Sequence, residues 1–361
     1  MTEEIVNQSI AAQQYTFVIG ILAMLLLGFG FLMVFVKRNG FNALSGTYLV
    51  VSTVLPLYLF LRGVGLFGSE VLAADELSSI LYAEFAAASA LIVMGAVLGR
   101  LKTYQYILLG IVMVPVYILN EWLVTDGALG ITKGFIDIAG SIGIHAFGAY
   151  FGIGLTLALT RKQHRDISIL SDSVSDRFSM IGSMILWIFW PGFCSAIVAP
   201  SEIPLTVVNT LLALCGATLA TYILSLILRR GKPAIADIAN ASLAGGVAIG
   251  STCNIISPAG AFAVGLGAGV LCVIGYVFVQ PFLQKKLKIV DTCGVHNLHG
   301  MPGILGGLTA IILVPSIAGA QVAGILITVA TALAGGLLCG ILIRFTGGRK
   351  KPYEDVEEFA E

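Results

Sequence analysis

The sequence predicts an all-α polytopic membrane protein with eleven transmembrane helices, and three observations support this fold class. The 361 residues are 57% hydrophobic and only 11% charged, whereas soluble domains carry about 25% charged residues. Uncharged apolar stretches of about 20 residues, the length that crosses a hydrocarbon core of about 30 Å, recur along the whole chain. The basic residues that separate these stretches are concentrated in alternate connections.

Each apolar stretch is long enough to form one membrane-spanning helix. A β-barrel is excluded, because barrel strands are about ten residues long and alternate in polarity. The predicted spans cover residues 17–36, 43–61, 77–99, 103–120, 134–160, 178–200, 203–228, 235–252, 259–280, 289–314 and 318–343.

The basic residues predict how the chain is oriented. The N-terminal segment MTEEIVNQSIAAQQY lacks the basic front of a signal peptide, so residues 17–36 are expected to be the first span. Lys37 and Arg38 follow at once, which places them in the cytoplasm and the N-terminus outside. Eleven spans then leave a short cytoplasmic tail at 346–361, and of the 20 Lys and Arg residues only Arg62 and Lys133 fall outside. We therefore expect a multi-pass protein of the plasma membrane.

Composition also excludes several functions. A net charge of zero and a pI near 6.9 argue against a nucleic-acid partner. The longest connection, residues 161–177, leaves no room for a nucleotide-binding domain, and an enzyme is not expected. The six cysteines form no C-x-x-C pair, so neither a metal site nor a disulfide framework is predicted, and no cofactor is implied.

The 43 glycines favour closely packed helices.

Few ionisable residues lie in the predicted spans. Inserting a charged side chain at the centre of the bilayer costs about 2.5–3.5 kcal/mol of free energy. His164 is the one histidine in a loop and is expected to be solvated. The ionisable residues inside the spans are Glu84, Asp137, His145, Asp291, His296 and His299.

Two of these histidines share a local sequence frame. GSIGIHAFGAYFG around His145 and TCGVHNLHGMPG around His296 both contain G-[IV]-H, with a glycine seven residues later. They fall in the fifth and tenth spans. If spans one to five and six to ten are copies of one unit, the second copy is inverted, and equivalent residues meet near the bilayer midplane.

Two imidazoles that meet there would form a polar strip in an apolar passage, one ring donating and the other accepting a hydrogen bond. Such a strip suits a small molecule that both donates and accepts. The alternative is two unrelated buried histidines that bond to backbone groups. A metal site lacks further ligands, and catalysis by Cys293 with His296 lacks an orienting acid.

The block DTCGVHNLHGMPGILGG at residues 291–307 resembles the Rhesus (Rh) branch of the ammonium transporter and Rh glycoprotein family. Further blocks resemble it in the same order, so the resemblance covers essentially the whole chain: FGFLMVFVKRNGF, AEFAAASALIVMGAVLGR, DIAGSIGIHAFGAYFG and MIGSMILWIFWPGFCSA. The resemblance implies a channel domain over residues 1–345, with repeats at about 17–160 and 178–314 and an extra helix at 318–343. It also implies a homotrimer with one pore in each subunit.

The resemblance implies roles for residues at the family's motif positions. His145 and His296 match the twin pore histidines, and Phe85 and Phe193 match the gate. Asp137 matches an acid of the outer vestibule. Asp291 matches the acid at the start of the tenth span.

Other motif positions differ from the family pattern or leave a residue's role open. Trp190 and Cys194 flank the second gate residue, and Cys194 stands where the ammonium-transporter branch has Asn. His299 is a candidate vestibule residue, expected one turn from His296 towards the cytoplasmic mouth, with a packing role as the alternative. Val124, two residues after Trp122, occupies the expected place of a cation-binding tryptophan, which favours electroneutral passage.

The sequence therefore predicts a channel that conducts ammonia, derived from ammonium, without net charge transfer. CO2 passage is the alternative within the same class. A sensor or interaction protein with the same fold is the alternative from another class. Expected partners are the small-molecule substrate, membrane lipid and two further copies of the chain.

Overall fold

The protein is described here by a computed structural model that covers residues 3–165 and 167–360. Within these residues the chain forms eleven membrane-length or near-membrane-length helices and no β-strand. The first helix begins at Glu3, and α1 denotes its apolar part. The helices are α1 Gln8–Phe35, α2 Gly40–Gly63, α3 Leu77–Val97, α4 Gln105–Thr125, α5 Ser141–Leu159, α6 Ser173–Ser195, α7 Ile203–Leu228, α8 Ile235–Ile249, α9 Pro258–Leu287, α10 His296–Gly300 continued by Met301–Leu313, and α11 Pro315–Arg344.

Each predicted span overlaps with one of these helices, so the prediction of eleven spans is confirmed. Nine helices are long and apolar enough to cross a membrane, whereas α8 is shorter and α10 begins with the polar residues His296, Asn297 and His299. The protein is therefore a multi-pass membrane protein.

The predicted starts of the fifth and tenth spans, at residues 134 and 289, are wrong by seven residues each, because α5 begins at Ser141 and α10 at His296. Gly140 and Gly294 have φ angles of 75° and 71°. This left-handed conformation suits glycine and interrupts a right-handed helix. The mainly apolar residues before each glycine are therefore not helical. Residues 289–293 are buried, whereas residues 135–138 are half-buried.

Wide π-helical turns occur at three places that surround the centre of the bundle: Met24–Phe29, Ser141–Ala146 and His296–Gly300. A π-turn inserts one extra residue into a helix and is frequent at functional sites. Here the three turns contain Phe29, His145 and His299.

Glycines let the helices cross closely, as the composition predicted. A Cβ at Gly303 of α10 would overlap the carbonyl oxygen of Ser141 at the start of α5. Gly336 of α11 lies in the same way against the carbonyl of Phe151 on α5. Helices α5, α10 and α11 can therefore approach each other backbone to backbone.

Residues 349–359 fold back onto the ends of α2, α3 and α4. The Asp355 carboxylate accepts hydrogen bonds from the backbone N–H groups of Phe41 and Asn42, at 2.7 and 2.9 Å. The Arg349 guanidinium donates to Asn39 Oδ1 at 3.1 Å, and the Glu358 carboxylate accepts from the Thr103 N–H at 2.6 Å. We call this end of the bundle the tail face and the opposite end the far face.

Candidate functional site

The imidazole rings of His145 and His299 meet at the centre of the bundle. Their Nδ1 atoms are 3.2 Å apart. Their ring centroids are 5.3 Å apart, and the rings are within 7° of parallel. Both side chains are buried. A hydrogen bond between two Nδ1 atoms requires that one ring donates and the other accepts, so the pair presents one donor and one acceptor at its remaining nitrogens.

The expected partner of His145 was His296, and this pairing is wrong. His296 is the first residue of α10, nearer the tail face, and its ring packs edge-on against Tyr150 with centroids 5.6 Å apart. The expected direction of His299 is also wrong. Because α10 enters the bundle from the tail-face side, His299 lies one turn deeper than His296.

A second spacing in the sequence would have identified the correct pair. His145 stands eight residues after Asp137, and His299 stands eight residues after Asp291. In both cases the aspartate precedes the left-handed glycine by three residues. The D-x-x-G frame therefore aligns the two repeats correctly, whereas the shared G-[IV]-H frame does not.

Two further aromatic rings flank the edge-to-edge imidazole pair, and we call the four rings together the ring stack. Trp190 of α6 lies over His145, with centroids 5.6 Å apart and planes within 19°. Phe29 of α1 lies over His299, with centroids 6.3 Å apart and planes within 22°. Phe29 was not selected from the sequence, because one of 19 phenylalanines carries no distinguishing signal without a contact.

Phe85 and Phe193 lie together on the far-face side of the stack. Their ring centroids are 4.8 Å apart, and Phe193 is 6.1 Å from the ring of His145. Both side chains are only 3% exposed. The two candidate gate residues therefore form a closed apolar layer next to the first imidazole.

Asp137 and Asp291 act as helix caps. The Asp137 carboxylate accepts hydrogen bonds from the N–H groups of Ile142 and Gly143 and from Ser251 Oγ. The Asp291 carboxylate accepts from the N–H groups of Val295 and His296, at 3.0 and 2.9 Å. A carboxylate at this position satisfies free N–H groups and complements the helix dipole. The two acids thus fix the first turns that carry the imidazole pair.

Two buried polar atoms beside the stack have no hydrogen-bond partner among the described residues: Nε2 of His145 and Nε1 of Trp190. Buried polar groups without a partner are uncommon in proteins. Cys194 follows Phe193 directly in α6 and is fully buried.

A small cavity continues the path from His299 towards the tail face. Its volume is about 20 Å³, enough for one water-sized molecule. Besides His299, its wall contains Phe29, Asn240 and Cys293. Asn240 was not predicted, since an asparagine in an apolar helix carries no motif.

A polar cluster that the sequence analysis missed lies where α2 and α4 end at the far face. The Glu121 carboxylate accepts hydrogen bonds from Tyr58 Oη at 2.8 Å and from the Arg62 guanidinium at 3.2 Å. Trp122 lies beside it at the end of α4, near Gly68, and Val124 is buried. Deeper in α3, Glu84 is buried, and neither carboxylate oxygen has a hydrogen-bond partner among the described residues.

His164 is less exposed than a solvated loop residue. It is half-buried, and its Nδ1 accepts a hydrogen bond from the backbone N–H of Arg161. Burial and the guanidinium groups of Arg100 and Arg161 lower the pKa of His164 to about 4. His164 is therefore neutral at pH 7.

The chain is similar to proteins of a known family. The model for the ammonium transporter family matches residues 4–359. The chain is 38% identical to ammonium transporter Rh type B of Oryctolagus cuniculus, over 89% of this chain and 76% of that protein.

The chain belongs to the ammonium transporter family.

Other similar proteins agree with the Rh branch. Ammonium transporter Rh type A of Mus musculus is 37% identical over 92% of this chain and 76% of its own length. The solved structure of Nitrosomonas europaea Rh50, of the Rhesus protein family of channels, is 60% identical with a TM-score of 0.97, over 98% of this chain and 93% of that one. A structure titled Sensor Amt Protein has a TM-score of 0.79 at 20% identity, over 96% of this chain and 94% of that one, which shows the shared fold alone.

Proposed function

We propose that the protein is a Rh-type channel that conducts ammonia without net charge transfer. The observation that carries this proposal is the bonded pair of His145 and His299, enclosed between Trp190 and Phe29. The pair offers a donor and an acceptor in otherwise apolar surroundings. Ammonia both donates and accepts hydrogen bonds, so it can exchange its water contacts for contacts with the imidazoles.

The path would run from the far face to the tail face. Ammonium releases its proton to water on the far side of Phe85 and Phe193, where the proton stays, and neutral ammonia passes between the two rings. It then crosses the pair formed by His145 and His299. The small cavity between His299 and Asn240 receives it before the tail face.

The same lining disfavours ammonium itself. The rings along this path are uncharged aromatic and imidazole groups, and none supplies the oxygen ligands that would replace the hydration shell of a cation. Moving an unpaired charge into an apolar environment is far more costly than moving a small polar molecule. Transport of ammonia alone moves no charge across the membrane.

CO2 ranks below ammonia because CO2 accepts hydrogen bonds but has no N–H or O–H group to donate. It could therefore use only the donor nitrogen of the imidazole pair. A sensor role also ranks below conduction, because the chain belongs to a transporter family and the Phe and His rings along the path are all present. We further infer a homotrimer in the plasma membrane with the far face outside, from the family resemblance and from the basic residues near the tail face.

The test uses the full-length protein in liposomes under an imposed ammonium gradient. Lumen pH should change faster than in empty liposomes, without membrane current. Phe193→Trp should slow this change because the larger ring fills the gap beside Phe85. Phe278→Trp is the matched control, since Phe278 is 56% exposed on the outside of α9. Ammonia permeability equal to that of empty liposomes, or a current proportional to flux, would overturn the proposal.

A further inference from the structure

A cavity at the end of α9, separate from the ring stack, is lined mainly by basic and amide side chains. Its volume is about 520 Å³, within the range of small-ligand sites. It lies between the end of α9 and the connection that follows α5. Its lining residues are Arg165, Gln280, Pro281, Gln284, Lys285 and Lys288.

The charged side chains that the structure describes in the lining of this cavity are all basic. Arg165, Lys285 and Lys288 are cationic, and none of the described lining residues is acidic. The four ion pairs formed by described residues lie elsewhere and join Lys37 to Asp172, Arg62 to Glu121, Arg229 to Asp237 and Arg349 to Glu358. The cavity thus concentrates positive charge that these pairs do not neutralise.

The donors have a defined arrangement. Gln284 Nε2 donates to the backbone carbonyl of Arg165 at 3.2 Å, which ties the loop to the helix. Lys288 Nζ donates to the carbonyl of Lys285 at 2.8 Å. An ammonium group has three N–H bonds, so this contact leaves two for a ligand. The Lys288 ammonium group is therefore held near the cavity while it can still donate.

We propose that this pocket binds a phosphate group. Lysine ammonium and arginine guanidinium groups are the usual protein donors to phosphate oxygens, and the guanidinium can contact two oxygens at once. The source is either the headgroup of an anionic phospholipid or a free phosphate anion. A headgroup is reachable because the pocket lies where α9 leaves the apolar part of the bundle.

The pocket is connected to the pore helix through Gln280. Gln280 Nε2 donates to the carbonyl of Asp291 at 2.8 Å, and Gln280 Oε1 accepts from Asn297 Nδ2 at 3.2 Å. Asp291 caps the first turn of α10 and Asn297 lies within it. A bound phosphate would thus contact the residue that holds the turn carrying His299. Binding itself does not depend on the proposed conduction, so a flux assay and a binding assay can fail separately.

The test measures binding to the delipidated full-length protein with three probes: phosphatidylglycerol, phosphatidylcholine and inorganic phosphate. Native mass spectrometry follows the lipids and calorimetry follows the anion. The pocket variant combines Lys285→Gln with Lys288→Gln. The control combines Lys286→Gln with Lys162→Gln, which removes the same charge at exposed positions outside the pocket. Thermal unfolding checks that both variants are folded.

We expect the pocket variant to bind about twentyfold more weakly, because each basic side chain near a phosphate surface contributes roughly fivefold. The control should bind like the parent. Preference for phosphatidylglycerol over phosphatidylcholine supports a headgroup, and direct binding of inorganic phosphate supports a free anion. Absence of binding by both anionic probes would overturn the proposal. Equal losses in the pocket variant and the control would also overturn it, because they indicate general charge attraction.

Discussion

The first turns of α5 and α10 have the same backbone but different neighbours. Each follows an aspartate and a left-handed glycine, and each is a wide π-turn. Each also carries an imidazole eight residues after the aspartate. This shared geometry brings His145 and His299 together from opposite directions.

The neighbours of the two turns differ in number and kind. Asp137 also accepts a hydrogen bond from Ser251, whereas the Asp291 carboxylate accepts only backbone bonds among the described residues. The α10 turn also contains His296, which contacts Tyr150 instead of another imidazole. Backbone symmetry therefore builds the imidazole pair, and the extra histidine in one repeat is not part of it.

The largest effect is expected from a substitution where α10 crosses the start of α5. Gly303→Val would place side-chain carbons against the Ser141 carbonyl, and this backbone atom cannot move away. We expect a loss of about 3 kcal/mol or more of stability, seen as failure to isolate monodisperse protein. Gly319→Val is the control, because no atom lies within 4 Å of a Cβ at Gly319. Normal yield of Gly303→Val would contradict this packing.

The next largest effect is the loss of stability when either capping aspartate is removed. Asp137→Ala leaves three donors without their acceptor, and Asp291→Ala leaves two. At about 1 kcal/mol for each unsatisfied donor, the losses should be about 3 and about 2 kcal/mol. Thermal unfolding in detergent measures the order of the two variants. If Asp291→Ala unfolds at a lower temperature than Asp137→Ala, the loss of stability does not follow the number of hydrogen bonds that each carboxylate accepts.

A smaller effect is expected at the end of the ring stack. Phe29→Leu keeps most of the apolar volume but removes the ring over His299, at a cost of about 0.5–1.5 kcal/mol. Phe31→Leu on the same helix breaks a comparable stack with Phe178, whose centroid is 5.7 Å away. Both variants should lose similar stability, but only Phe29→Leu should reduce ammonia flux. Equal flux in the two variants would show that the stack does not position His299.

The smallest effect concerns the tail face. Asp355→Ala removes the acceptor for two N–H groups at the start of α2, which costs about 1 kcal/mol for a helix cap. Flux per folded molecule should stay unchanged, because Asp355 lies far from the imidazole pair. Glu357→Ala is the control, since its side chain has no hydrogen bond or ion pair among the described residues. A flux change in Asp355→Ala alone would give the tail a role in conduction.

The helices of this fold could be predicted from the sequence because each span must be apolar along its whole length. The alternation of basic connections fixed their number independently. The starts of α5 and α10 could not be predicted from hydropathy. Residues 134–140 (GFIDIAG) and 289–295 (IVDTCGV) are mostly apolar in sequence, like the helices that follow them, and the φ angles of Gly140 and Gly294 show the break.

The candidate site could be predicted only in part. His145, Phe85 and Phe193 lie close together, and Asp137 and Asp291 lie at the two helix starts, whereas the gate and vestibule roles stay predictions. The choice of His296 over His299 failed because it followed the shared G-[IV]-H frame, whereas the spacing of eight residues after the aspartate aligns His145 with His299. Phe29 and Asn240 could not be found because their significance depends on contacts between distant segments.

The most direct test of this account compares three single variants in the liposome assay: His145→Ala, His299→Ala and His296→Ala. Losing one hydrogen bond to ammonia at the narrow centre should raise the barrier by about 1.4 kcal/mol, which lowers flux about tenfold for His145→Ala and His299→Ala. His296→Ala should conduct like the parent. A large loss in His296→Ala together with parent-like flux in His299→Ala would contradict the assignment of the pore to His145 and His299.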